Sequence, residues 1–180
     1  MKSFSKIFFI LFALIQLSSC AFQNLEDYSN EIPKFELENY FAGKTIGYGV
    51  VQQRSGKVLK RFVVEIDGKF SNEKGVLDER FKWSNGEEEQ RIWKLKKISS
   101  NKWTGTAEDV VGEAQGEISG NSLRWAYTLK LKLDDNSINV KFDDWMYMID
   151  NKVLMNKAKF KKFGITLGEV TITFIKPDLI

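Results

Sequence analysis

Apolar and polar side chains alternate with a period of two residues from about Lys44 almost to the end of the 180-residue chain. The alternation is clearest over residues 123–133 and 138–148, where large apolar residues occupy every second position. Because successive side chains of a β-strand point to opposite faces, this pattern predicts strands that bury one face. Prolines occur only at Pro33 and Pro177, so every residue between them can donate to a strand ladder. The sequence therefore predicts an all-β fold.

Turn signals divide this region into nine or ten short antiparallel strands. Their predicted ranges are Lys44–Gln53, Lys57–Asp67, Gly75–Trp83, Gln90–Ile98, Lys102–Thr106, a short strand between Gly112 and Gly120, Leu123–Leu133, Ile138–Met148, Val153–Lys161 and Ile165–Lys176, with Lys69–Asn72 as a further candidate. Such a meander forms a barrel or a sandwich, and sequential hairpins favour a closed, antiparallel up-and-down barrel. Helical spacing of the apolar residues at 35–41, before Gly43, predicts one short N-terminal helix.

The first hairpin predicts specific cross-strand neighbours. A tight turn at Ser55-Gly56 places Gly49 opposite Phe62 and Gly47 opposite Val64. The apolar side chains of the second strand would then pack on the backbone of these glycines, as in a strongly bent strand.

A later hairpin brings polar residues into the apolar face. If the turn spans residues 134–137, Tyr127 lies opposite Asp144 and Trp125 lies opposite Met146. Both pairs are predicted to share the interior face of the two strands.

The start of the chain has the layout of a bacterial secretion signal. Lys2 and Lys6 precede the apolar run Ile7–Ile15, which is too short to cross a bilayer as a helix. Leu17-Ser18-Ser19-Cys20 then resembles the lipobox of bacterial lipoproteins, whose cysteine is acylated, for example with palmitate, and becomes the first residue. An ordinary signal peptide with an incidental cysteine is the alternative. We predict a signal peptide at 1–19, a lipid-anchored flexible tether at 20–34 and a single β-barrel domain at 35–180.

The predicted anchor makes the membrane a partner of this protein. Ala21, directly after Cys20, is the type of residue associated with sorting to the outer membrane. We therefore expect lipidation at Cys20 and a location on the periplasmic face of the outer membrane of a Gram-negative bacterium. The many strand lysines leave no continuous lipid-facing band, which argues against an outer-membrane barrel.

Composition narrows the chemistry. The chain has no histidine, and Cys20 is its only cysteine, so a histidine-based triad, a thiolate nucleophile and the usual zinc ligands are excluded from the barrel domain. Removal of Lys2 and Lys6 with the signal lowers the formal charge from +3 to +1, which does not indicate a nucleic-acid partner. We predict that the protein is not an enzyme and has no cofactor.

Several strings of the barrel region resemble one bacterial family. They are Val50-Val51-Gln52-Gln53-Arg54-Ser55-Gly56, Trp103-Thr104-Gly105-Thr106-Ala107-Glu108-Asp109-Val110-Val111-Gly112, Asp143-Asp144-Trp145-Met146-Tyr147 and Lys162-Phe163-Gly164. The family comprises proteobacterial lipoproteins classed as domain of unknown function 3833. The resemblance implies an envelope lipoprotein with a lipocalin-like barrel, and it implies no activity.

A speculative ligand site follows from the predicted interior face. Asp144 and Asp143 point to opposite faces, and Asp144 shares its face with Met146. A buried carboxylate needs a partner, and Tyr127 is the cross-strand candidate. The pair either orients a ligand or only satisfies a buried polar group. Trp125 and Met146 would contact an apolar tail, and an arginine such as Arg61 could hold its polar end.

Glu108, Asp109, Glu113 and Glu117 do not have the spacing of a calcium loop, so we predict a solvated face and no metal site. The leading hypothesis is a monomeric lipocalin-like binding module for a lipid-like or other apolar small molecule. The alternative is a structural or interaction lipoprotein with a filled barrel, which presents Trp145 and Tyr147 to a partner.

Overall fold

The computed structural model describes residues 23–133 and 136–177 and consists almost entirely of β-strands. A 3-10 helix at Leu25–Tyr28 and helix α1 at Leu37–Phe41 precede them. The ten strands are β1 (Gly43–Gln53), β2 (Val58–Ser71), β3 (Lys74–Trp83), β4 (Glu88–Lys97), β5 (Lys102–Thr106), β6 (Ala114–Ser119), β7 (Ser122–Leu133), β8 (Asn136–Met148), β9 (Val153–Lys162) and β10 (Ile165–Ile175).

The strands form one closed antiparallel barrel in up-and-down order. Each strand pairs with the next along the chain, and β1 also pairs with β10, which closes the sheet. The predicted all-β barrel with one short helix is confirmed. The candidate strand at Lys69–Asn72 is the end of β2, because the chain reverses only at Asn72-Glu73, where both residues have positive φ. This pair of left-handed residues makes a tight hairpin without the glycine that usually signals one.

The register predicted for the first hairpin is confirmed. Gly49 pairs with Phe62 and Gly47 with Val64. A Cβ atom at Gly49 would lie 2.2 Å from Phe62 Cζ, so the ring packs directly on the backbone of β1. Glycine at this position therefore makes room for an aromatic side chain inside the barrel.

We expect Gly49→Ala to lower the free energy of unfolding by about 1–2 kcal/mol, because the added methyl group must displace the Phe62 ring. Urea unfolding of the single variants and of Gly49→Ala/Phe62→Leu checks this. The smaller leucine should make the two effects less than additive; strict additivity would show that the ring does not limit position 49.

The register predicted for the β7–β8 hairpin is wrong by two residues. Leu133 pairs with Asn136, so Trp125 lies opposite Asp144 and Tyr127 lies opposite Phe142. Only two residues separate the paired ends of these strands, whereas the prediction allowed a four-residue turn. A shift of two preserves the face of every side chain, so Asp144 and Tyr127 still point inward as diagonal neighbours.

Helix α1 closes one end of the barrel. Its residues Leu37, Tyr40 and Phe41 are buried, as is the preceding Phe35. The Tyr40 hydroxyl donates to the backbone oxygens of Lys152 and Phe174, both at 3.1 Å, which fixes the helix against β9 and β10. The β1–β2, β3–β4, β5–β6, β7–β8 and β9–β10 connections lie at the opposite end.

The segment before α1 lies against the outside of the barrel. The Tyr28 ring contacts those of Trp145 and Tyr147, with centroids 6.2 and 5.6 Å apart, and the Phe35 amide donates to the Gly120 oxygen at 2.8 Å. The described part of the predicted tether is therefore packed against the domain. The predicted signal peptide and Cys20 lie outside the described residues. Within the described ranges, no helix has the length and hydropathy needed to cross a membrane.

Candidate ligand-binding cavity

The barrel encloses a cavity of about 990 Å³. Leu37 and Phe41 of α1 contribute to its floor, and the exposed rim residues Lys60, Glu87 and Lys132 mark its opening at the other end. This volume lies at the upper end of the range found for small-molecule sites. Ten strands enclose more space than the eight-stranded barrels in which side chains can fill the interior.

The cavity walls are mainly aromatic and aliphatic. Trp93 contacts Trp125 and Tyr127 edge-on, with centroids 5.7 and 5.4 Å apart. Tyr127, Phe142 and Phe160 form a stacked row with centroid distances of 5.1 and 5.4 Å. These rings come from β4, β7, β8 and β9, so one continuous aromatic wall spans four strands. Such a wall offers a large contact area to an apolar molecule.

A partly buried ion cluster lies among these rings. Arg91 of β4 donates from Nε and Nη2 to the Asp109 carboxylate at 2.7–3.1 Å. Arg91 Nη1 is also 3.8 Å from Glu79 Oε2 on β3. The side chains of Arg91 and Glu79 are only 16% and 13% exposed. The guanidinium thus already faces two carboxylates.

Asp144 adds a third carboxyl group to this interior. It is 8% exposed, and its Oδ2 accepts a long hydrogen bond of 3.5 Å from the Tyr127 hydroxyl. Its Oδ1 is buried and has no hydrogen-bond partner among the described residues. A buried polar atom without a partner is unfavourable and marks a place where a further group can bind.

Burial shifts the protonation of the two inward carboxyl groups. Loss of solvation raises the pKa of Asp144 to about 8, although nearby Arg91 opposes the shift. Loss of solvation likewise raises the pKa of Glu79 to about 7 against the effect of Arg91. Burial also raises the pKa of Tyr127, and the negative charge of Asp144 adds to that shift. Asp144 is therefore mainly protonated at neutral pH when the cavity holds no cation.

The structure brings together four of the residues singled out from the sequence. Trp125, Tyr127, Asp144 and Met146 all line the cavity. Arg61 does not join them, because it lies exposed on the outer face of β2, beside Tyr48 and Trp83 in a separate shallow groove. Both faces of β2 carry apolar residues, so alternation alone did not reveal which way Arg61 points.

Glu79 is a site residue that the sequence reasoning missed, and Arg91, instead of Arg61, is the arginine that faces the interior. Arg91 shares its face with Trp93 and Leu95, and Glu79 shares its face with Leu77 and Phe81. The period-two pattern of these two strands contained the signal that both charged side chains point inward.

The acidic residues near the β5–β6 connection have separate roles. Asp109 binds Arg91, and Glu117 forms an ion pair with Lys102 at 3.5 Å. No group of three or more acidic, histidine or cysteine side chains in the described ranges is arranged to hold a metal ion. The outward-facing Asp143 accepts a hydrogen bond of 2.7 Å from Arg124, whereas Asp144 faces the cavity.

The sequence profile of a family described as protein of unknown function (DUF3833) matches residues 14–176. The chain belongs to this family. The match covers every strand of the barrel and extends into the residues before it. No curated protein matches this DUF3833 chain by sequence.

Two solved structures share the fold of the DUF3833 protein. The S-type phycobiliprotein lyase CPES from Guillardia theta matches with a TM-score of 0.61 and 8% identity, over 86% of this chain and 98% of that one. A protein of unknown function of the DUF3598 family from Nostoc punctiforme matches with a TM-score of 0.55 and 12% identity, over 81% of this chain. The DUF3833 chain spans half the length of the Nostoc protein. At these identities the similarity establishes the lipocalin-like barrel fold.

Proposed function

We propose that this DUF3833 protein is a binding module that holds a lipid-like or other apolar small molecule inside its barrel. The observation that carries the proposal is the cavity of about 990 Å³, which has a floor at α1, an opening at the far end and an aromatic wall. Its lipocalin-like fold is that of a barrel able to enclose a ligand.

The cavity surface can supply a useful affinity. An alkyl chain that buries about 300 Å² of apolar surface gains roughly 7 kcal/mol from desolvation. Immobilisation of the ligand offsets part of this gain, so dissociation constants of about ten micromolar or weaker are expected for simple apolar molecules. Tighter binding requires a polar group that matches the cluster around Asp144.

The alternative function, an interaction protein with a filled barrel, is less well supported. The barrel contains a cavity, and the proposed partner surface at Trp145 and Tyr147 is covered by Tyr28 of the same chain. An enzymatic role also has little support in the composition. The Guillardia protein is called a lyase, but the DUF3833 chain has no histidine, and its single cysteine is Cys20. We therefore propose binding without chemical turnover.

We further propose that the protein is held at the bacterial envelope by acylation of Cys20, on the periplasmic face of the outer membrane. Only residues 21–22 separate Cys20 from Gln23, whose side chain donates to the Tyr147 hydroxyl near the end of β8. Three residue steps span at most about 11 Å. The closed end of the barrel would then lie near the membrane, and the opening would face away from it.

We expect a neutral dodecyl alcohol that carries a photoreactive diazirine to label residues of the cavity wall. The full chain, as the cell processes it, is mixed with phosphatidylcholine vesicles that deliver the probe, irradiated and mapped by peptide mass spectrometry. Saturable labelling of cavity residues such as Met146 supports the proposal.

Val170→Trp places a large ring in the cavity and should reduce this labelling at least threefold. A threefold reduction corresponds to a loss of about 0.6 kcal/mol of binding free energy. Thr171→Trp, on the outer face of the same strand, is the matched control and should leave labelling unchanged. Labelling that is confined to the outer surface, or that ignores Val170→Trp, would contradict a ligand-binding interior.

A further inference from the structure

The polar cluster of the cavity has an excess of carboxyl groups. Glu79, Asp109 and Asp144 lie around the guanidinium of Arg91, whereas the lysines that line the cavity among the described residues, Lys60, Lys130 and Lys132, are exposed at its opening. Asp109 already occupies two donor nitrogens of Arg91, and Glu79 is 3.8 Å from the third. The guanidinium therefore has little capacity left for an anionic ligand, since both carboxylates compete with it.

Asp144 is the polar group that remains available. It is more than nine-tenths buried and lines the cavity, and its Oδ1 has no hydrogen-bond partner in the described part of the chain. The nearest donor is the Tyr127 hydroxyl, which reaches only Oδ2, at 3.5 Å. The Asp144 carboxyl group thus lines the cavity at the level of the aromatic wall, and one of its two oxygens is buried without a partner.

We propose, building on the ligand-binding function, that the ligand is a cationic amphiphile whose polar end is an amine that donates to the carboxyl group of Asp144. An ammonium group satisfies the unpartnered oxygen and balances the third carboxyl group in the same contact. Its apolar body lies along the row formed by Tyr127, Phe142 and Phe160. An anionic end, as in fatty acids and phosphate-bearing lipids, is disfavoured at the depth of Asp144, because Arg91 is already engaged by Asp109 and Glu79 there.

The groups that face Asp144 support this assignment. They are Tyr127 on β7, Arg91 on β4 and Glu79 on β3, and the outward-facing Asp143 on β8 adds its charge. Burial raises the pKa of Asp144 to about 8, so the isolated carboxylate is unstable in this setting. A bound cation removes that penalty by stabilising the charged form of the carboxyl group.

The test compares two charged probes of equal length with the neutral alcohol. Diazirine-bearing dodecylamine and dodecanoic acid are delivered to the full chain from phosphatidylcholine vesicles, and labelling of the cavity wall is quantified. We expect amine labelling to exceed acid labelling about tenfold at equal probe concentration in the vesicles, as for one charge-assisted hydrogen bond.

Asp144→Asn keeps the size of the side chain and removes its charge, so the amine-to-acid ratio should fall about tenfold. Asp143→Asn makes the same change on the outer face, where Asp143 binds Arg124, and should leave the ratio unaltered. Acid labelling equal to or above that of the amine, or a ratio insensitive to Asp144→Asn, overturns the inference. If the neutral alcohol also fails to label the cavity, the proposed binding function itself fails.

Discussion

Raising the pH from about 5 to about 8 is expected to lower the free energy of unfolding by about 6 kcal/mol. The cause is the pair of buried carboxyl groups. Burial raises the pKa of Asp144 from its usual 3.8 to about 8 and that of Glu79 from 4.5 to about 7. The folded state therefore binds more protons than the unfolded state over this range. The stabilisation is complete below the unfolded pKa values and is lost as the pH rises through the folded ones.

Carboxyl groups at the surface do not obscure this trend. Hydrogen bonds to Gln90, Lys60 and the Lys152 amide lower the pKa of Asp78, Glu87 and Asp150, respectively. The stabilisation that these three carboxylates provide is present above their pKa in the unfolded chain and is lost only in more acidic solution. The decline between about pH 5 and pH 8 thus reports on the barrel interior.

Urea unfolding across this pH range measures the effect. The variant Asp144→Asn separates the contribution of Asp144 from that of Glu79. The variant cannot ionise at this position, so its free energy of unfolding should fall by only about 2–3 kcal/mol between pH 5 and pH 8, which is the part that Glu79 contributes. Asp143→Asn should keep most of the wild-type decline, because Asp143 is an outward-facing partner of Arg124 and acts on Asp144 only through its charge. A stability that stays constant or increases from pH 5 to pH 8 would show that Asp144 and Glu79 do not hold protons in the folded state.

The barrel could be predicted because alternation along each strand assigns its side chains to a face. The turn at Ser55-Gly56 does not alone set the register of the first hairpin, because Gln52 pairs with Val58 and a bulge between Val51 and Gln52 then brings Gly49 opposite Phe62. The β7–β8 register could not be obtained in the same way. A slip of two residues moves Tyr127 from Asp144 to Phe142 while every side chain keeps its face, so the apolar pattern is identical in both registers.

The candidate site was predictable in part for the same reason. The alternation of side chains between the two faces of each strand identified Asp144 and Tyr127 as interior residues. It could not show that Asp109, from the connection after β5, reaches Arg91, because that contact depends on how a loop folds over the barrel end. Nor could it show that Tyr28 covers Trp145, since this packing joins segments more than one hundred residues apart. Contacts between distant elements decide which charges are paired, and single-strand patterns do not contain them.

Arg91→Met should lower the free energy of unfolding at pH 8 by about 3 kcal/mol. The variant keeps a side chain of similar length but removes the cation that Asp109 and Glu79 share. Both carboxylates are then left partly buried and mutually repulsive. The exposure of Asp109, 29%, keeps the expected loss at the lower end of the range for broken buried ion pairs.

The dependence of this loss on pH separates an electrostatic cause from a packing defect. At pH 5 Glu79 and Asp144 are protonated in the folded state, so Arg91→Met should lose about 1 kcal/mol less than at pH 8. Arg61→Met is the matched control, because Arg61 is exposed on the outer face and its replacement should change stability by less than about 0.5 kcal/mol. Equal effects of the two substitutions would contradict the interior ion cluster. A loss at Arg91 that is the same at both pH values would instead assign its role to packing against Phe81, whose ring centroid lies 5.6 Å from the guanidinium carbon.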